Sequence, residues 1–144
     1  MFAGQTVVNT VSSPEAPAFA LEYRHGLDRH LEWTASLISE GNTKVDNCTG
    51  FALQGWVVNT LFPDFLTVGL GLGPYVYADR KANDSMAVGE QVRVCALATL
   101  TLSVPLSQRV ATPWNLRFEF HRVTTRYNRD ADIILLGLGY RWRR

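Results

Sequence analysis

The sequence predicts an all-β protein, an eight-stranded antiparallel up-and-down transmembrane β-barrel, and three features carry that prediction. The first is alternation: Trp114, Leu116, Phe118 and Phe120 fall on one parity, while Asn115, Arg117, Glu119 and His121 fall on the other. A period of two gives a strand one apolar and one polar face. The second is that eight short segments repeat the pattern in sequence, without a stretch of helical periodicity. The third is that a chain with 47% hydrophobic residues contains no run approaching the roughly 18 apolar residues of a membrane helix. A chain that crosses a bilayer without such helices must close into a barrel, which pairs every backbone N–H and C=O.

The elements follow in order. A first strand is expected over 3–10, ended by Ser12-Ser13-Pro14. The second, 17–25, sets Phe19, Leu21 and Tyr23 against Ala18, Ala20, Glu22 and Arg24 and stops at the tight Gly26-Leu27-Asp28. The third, 30–39, sets Leu31, Trp33 and Leu37 against Glu32 and Ser36, and the polar run 40–47 follows it. The fourth, 49–60, carries Phe51, Leu53 and Val57 opposite Gln54 and ends at Phe62-Pro63-Asp64. In the fifth, 65–77, Leu66, Val68, Leu70 and Leu72 alternate with Gly69, Gly71 and Gly73. The sixth, 90–103, opposes Leu100 and Leu102 to Arg93, Thr99 and Thr101. The seventh, 113–123, holds the clean alternation described above, and the eighth, 132–142, sets Leu136, Leu138, Tyr140 and Trp142 against Gly137, Gly139 and Arg141. Connections after the odd-numbered strands are polar and mostly long, and the others are shorter. In exported barrels the short turns are periplasmic and the long loops extracellular.

Parity alone does not say which face is inside. The reverse assignment gives a soluble lipocalin-like binder of an apolar ligand. The polar face is rich in Gly, Ala, Ser and Thr, which suits a narrow lumen where small neighbours accommodate a few long side chains. A water-exposed sheet would display lysine there, yet the only lysines are Lys44 and Lys81, both in segments read as loops. Tyr23, Trp33, Trp114, Tyr140 and Trp142 near strand ends suit interfacial girdles. An arginine on the lipid face costs roughly 2–4 kcal/mol, against a total stability of about 5–15 kcal/mol. Arg24, Arg93 and Arg117 are therefore expected inside, with Glu22, Glu32 and Glu119 as partners. The expected result is a polar network that plugs the lumen, since eight strands leave room only for side chains.

One domain spanning 1–144 is expected, and a net charge of +1 offers no field to recruit nucleic acid. Met1-Phe2-Ala3-Gly4 has neither a basic leader nor an apolar core, so no export signal is read here, and an outer-membrane protein would then be a mature or truncated form. Cys48 and Cys95 are expected as two unpaired thiols. His25, His30 and His121 lie too far apart in register for a metal site. No cofactor is expected.

The segment from Trp114 to Trp142, together with Leu66-Thr67-Val68-Gly69-Leu70-Gly71-Leu72-Gly73-Pro74-Tyr75, resembles small outer-membrane barrels of the lipid A deacylase (acyloxyacyl hydrolase) type. That resemblance implies a catalytic histidine on the penultimate strand, a serine two residues later and a glutamate on the last strand. His121 matches the histidine. The serine position holds Val123, with Thr124 one residue further, and the last strand offers no acid beyond Asp132 at its beginning. An esterase would thus need Thr124 as nucleophile, brought to His121 by a bulge, with Glu119 or Asp132 fixing the imidazole tautomer. The resemblance therefore carries the fold rather than the activity. The expected function is a structural or surface-interaction barrel of the bacterial outer membrane. It is expected to be monomeric, with lipid and lipopolysaccharide as partners and Arg80, Lys81, Arg122, Arg126 and Arg129 meeting lipopolysaccharide phosphates at the long-loop end.

Overall fold

A computed structural model describes residues 1–8, 15–42, 46–62, 65–81, 90–106, 113–124 and 130–140. Its elements are β1 (Phe2–Val8), β2 (Glu15–Gly26), β3 (Leu31–Asn42), β4 (Asp46–Phe62), β5 (Leu66–Lys81), β6 (Glu90–Pro105), β7 (Trp114–Thr124) and β8 (Ala131–Tyr140). Each strand pairs antiparallel with the next, and β1 pairs with β8 from Phe2↔Gly137 to Val8↔Ala131, which closes the barrel. The described residues contain no helix. Closure leaves no open sheet edge along the paired part of the wall.

The strands on one side are longer than alternation suggests. β4 begins at Asp46, and β5 runs to Lys81, paired through Asp46↔Lys81 and Asn47↔Arg80, while β6 joins by Arg80↔Glu90. Arg80 and Lys81 thus sit in a strand, which corrects their assignment to a loop. Both parities are polar in Asp46-Asn47 and in Asp79-Arg80-Lys81, so alternation fades while the hydrogen-bond ladder continues. Trp142 lies outside the described residues.

Side chains sort by parity. Phe19, Leu21, Leu37, Phe51, Leu53, Leu70, Leu72, Phe118, Leu136 and Leu138 are all exposed on the outer wall, whereas Arg117, Glu119, His121, Gln54, Thr99 and Thr101 are buried inside. The lumen is not polar throughout. Ile38, Leu97, Ile133 and Leu135 are fully buried there, which corrects the picture of a wholly polar interior. In Ile133-Ile134-Leu135-Leu136 both parities are apolar, so no alternation marks the inward pair.

Glycines make room for the larger inward side chains. A Cβ on Gly71 would stand 2.6–2.8 Å from the Trp56 ring, and one on Gly50 would stand 2.5 Å from the Tyr75 ring. Real Cβ atoms do not approach so closely, so the glycine parity of β5 is a clearance pattern.

Candidate functional site

The short-turn end of the lumen holds the densest set of ionisable groups. Arg117, Glu119 and His121 stand at alternate positions of β7 and so point the same way. Glu22 and Arg24 do the same on β2, and Glu32 follows at the start of β3. Arg117 Nη1 lies 2.8 Å from Glu22 Oε1, and its Nη2 lies 2.6 Å from Glu119 Oε1. Arg24 reaches Glu22 at 3.1 Å, Glu32 at 3.1 Å and Glu119 at 3.5 Å. The two guanidiniums thereby tie β2 to β7 across the two strands between them. Arg24 also covers the Trp56 ring, 4.0 Å from its centroid, and Arg117 faces Phe2 at 5.3 Å. Such stacking suits the weakly hydrated guanidinium plane.

A second line of hydrogen bonds enters Glu119 from above. Gln54 Nε2 donates to Thr99 Oγ1 at 2.9 Å and to the Leu97 carbonyl at 3.2 Å. Thr99 Oγ1 lies 2.9 Å from His121 Nδ1, and His121 Nε2 lies 3.2 Å from Glu119 Oε2. The Thr99 hydroxyl thus accepts from Gln54 and meets His121 Nδ1, while His121 Nε2 faces the Glu119 carboxylate. Thr99, His121 and Glu119 have the connectivity of a hydroxyl, an imidazole and an orienting acid. Thr99 is only 3% exposed and its hydroxyl is engaged on both sides, so no acyl group reaches it.

The residue set that the alternative esterase reading would need is not assembled. His121 and Glu119 meet, but Thr124 is exposed on the outer wall, opposite Ala96 in an unbroken register with β6. Without a bulge, Thr124 keeps the parity opposite to His121. Asp132 is engaged by Arg122 at 2.8 Å, so it does not orient the imidazole.

Of the expected lumen group, Glu22, Arg24, Glu32, Arg117 and Glu119 come together. Arg93 does not join them: it stands opposite Tyr77, eight residues along β6 from Thr101, the register partner of Glu119. Eight strand residues span about 27 Å, and Arg93 makes its contacts elsewhere. Gln54, Thr99 and Trp56 were not foreseen as members of the network. The available signal was that Trp56 shares parity with Gln54, beside a glycine-rich strand able to accept an indole.

Toward the long-loop end, Tyr75 donates its hydroxyl to Glu40 at 2.9 Å, and the Tyr75 and Tyr77 rings stack at 5.3 Å. Cys48 and Cys95, which form no disulfide, lie on the inward parity of the same region. Of the basic residues expected to meet lipopolysaccharide, Arg122 is already committed to Asp132 and to Asp130, the latter at 3.1 Å. Arg80 and Lys81 occupy the far end of β5, and Arg126 and Arg129 lie outside the described residues.

No family model matches the chain, and no curated protein matches it. Solved structures do. The chain is similar to Ail, the attachment invasion locus protein of Yersinia pestis, crystallised in complex with the heparin analogue sucrose octasulfate. The TM-score is 0.70 at 12% identity, covering 98% of this chain and 94% of that one. A second crystal structure of Ail aligns with a TM-score of 0.69 at 12% identity over 98% and 93% of the two chains. The shared feature is the fold, an eight-stranded barrel.

Proposed function

We propose that the chain is an outer-membrane β-barrel with a structural and surface-interaction role, its long-loop end meeting phosphorylated glycan, foremost lipopolysaccharide. The observation that carries this reading is the sorting of the two faces. An outer wall of exposed Leu, Phe, Val, Tyr and Trp surrounds a lumen that contains the Glu22, Arg24, Arg117 and Glu119 cluster. Soluble monomers rarely expose continuous apolar surface on this scale. A bilayer makes that surface the favourable one and the inward charges the only tolerable ones.

Geometry at the other end supports the interaction role. β5 and β6 are paired as far as Arg80↔Glu90. Arg80 and Lys81 thus stand at the far end of a long strand pair. Arginine and lysine as residue types suit phosphate or sulfate esters. The Ail complex with a sulfated sugar is consistent with this class of ligand.

The test combines a fold check with a binding measurement. Refolded in detergent, the chain is expected to show heat-modifiable gel migration and to bind lipopolysaccharide with an affinity that falls as salt rises. Removing the charges of Arg80, Lys81, Arg126 and Arg129 is expected to abolish that binding. Arg122→Ala is expected to weaken it little, because that guanidinium is already neutralised by two carboxylates. Unchanged binding by the four-charge variant would remove the proposed site.

A further inference from the structure

The outer wall carries one notch that packing does not explain. Gly55 lies on the outward parity of β4, between Trp33 on β3 and Leu72 on β5 in register. A Cβ placed on it would meet nothing within 4 Å, unlike those on Gly50 and Gly71. Glycine within a strand weakens it by entropy and lost packing, and no inward side chain needs the clearance here. The result is a groove of about 390 Å³ whose rim includes Leu27, Leu31, Val57, Leu70 and Leu72, with Gly55 in its floor.

The β2–β3 turn stands at the short-turn end of this groove. Leu27 and Asp28 donate their amides to the Leu31 carbonyl at 2.8 and 3.1 Å. His30 docks the turn on β4: its carbonyl accepts from the Val58 amide at 2.9 Å, and its Nδ1 donates to the Val58 carbonyl at 3.2 Å. Arg29 is two residues from both Leu27 and Leu31, exposed, and among the described residues its guanidinium has no acidic partner. The nearby Asp28 carboxylate accepts the Arg29 amide at 2.6 Å, and Glu32, which also borders the groove, is turned to Arg24 at 3.1 Å. An apolar groove thus lies beside a turn that carries an exposed cationic residue.

We propose that the Gly55 groove holds one acyl chain of a phospholipid of the periplasmic leaflet, with the lipid phosphate at Arg29. This rests on the bilayer placement proposed above. Lipid tails are as apolar as leucine, so burial alone gives no preference within a membrane. Selectivity comes instead from a shape that one chain fills and from a charge-assisted contact at its head.

The experiment uses the whole chain refolded in detergent and supplied with phosphatidylglycerol carrying a brominated acyl chain, with brominated phosphatidylcholine and free glycerol phosphate as separate arms. Mass spectrometry of the intact complex counts retained lipid, and quenching of tryptophan fluorescence reports on Trp33 beside the notch. One retained phosphatidylglycerol is expected, with none retained for glycerol phosphate alone. Gly55→Leu is expected to abolish retention, and Leu72→Trp, which fills the groove from its wall, provides a second variant should the first fail to fold. Arg29→Gln is expected to lower occupancy about tenfold, the worth of one charge-assisted contact. Retention unchanged in Gly55→Leu and Leu72→Trp would overturn the proposal, as would a dimer that those variants dissolve, which would make a second copy the occupant. Quenching by neither brominated lipid, in a chain that stays monodisperse without detergent, would instead overturn the membrane placement itself.

Discussion

The two ends of the lumen fill the same narrow cylinder by different chemistry. Near the short turns, Glu22, Arg24, Glu32, Arg117 and Glu119 share a network in which two guanidiniums bridge three carboxylates. Toward the long loops, Ile38, Ala52 and Leu97 pack in a core whose polar contacts include the Tyr75–Glu40 bond. The ionic end is secure only while every member is present, because a buried charge without its partner is far costlier than a missing methyl group. The tyrosine end depends on shape and can lose one bond at modest cost. The comparison therefore predicts a graded set of responses to substitution.

The largest effect is expected at Arg117, which serves Glu22 and Glu119 together. Arg117→Ala leaves both carboxylates short of a partner and should destabilise the barrel by about 3–5 kcal/mol, read as a lower urea midpoint for unfolding from lipid bilayers. Gly71→Ala drives a methyl group into the Trp56 ring on which Arg24 stacks. Overpacking of this kind should cost about 1–3 kcal/mol, and Trp56→Leu in the same chain should relieve most of it. At the other end, Tyr75→Phe removes the hydroxyl donated to Glu40 and should cost about 1–2 kcal/mol. If Tyr75→Phe proved more damaging than Arg117→Ala, the contrast between the two ends would fail. The smallest effect is expected from Thr124→Ala, within about 0.5 kcal/mol, with no change in any ester-hydrolysis assay, since Thr124 faces away from His121.

Much of this arrangement was legible in the chain. Alternation in 114–121 placed Arg117, Glu119 and His121 on one side of a strand, and the energetic penalty for arginine facing lipid turned that side inward. Charge balance grouped Arg24, Arg93 and Arg117 with three glutamates, and register leaves Arg93 far from the other five. The run 133–136 was not legible, because two apolar parities look alike until a neighbouring strand fixes one of them. Glu40 read as part of a polar loop, yet it is buried on β3, since its bond to Tyr75 depends on a residue 35 positions away. The same limit hid Thr99, whose partners come from β4 and β7.

By itself the sequence determined the number of strands, their order and which side chains share a face, because these depend on a period of two and on turn chemistry between neighbours. The tertiary structure alone decided how far β4 and β5 stay paired, which hydroxyl meets His121 and where the wall is notched. Those features depend on the register around a closed cylinder, which sets residues from distant strands beside one another and leaves no trace in local alternation.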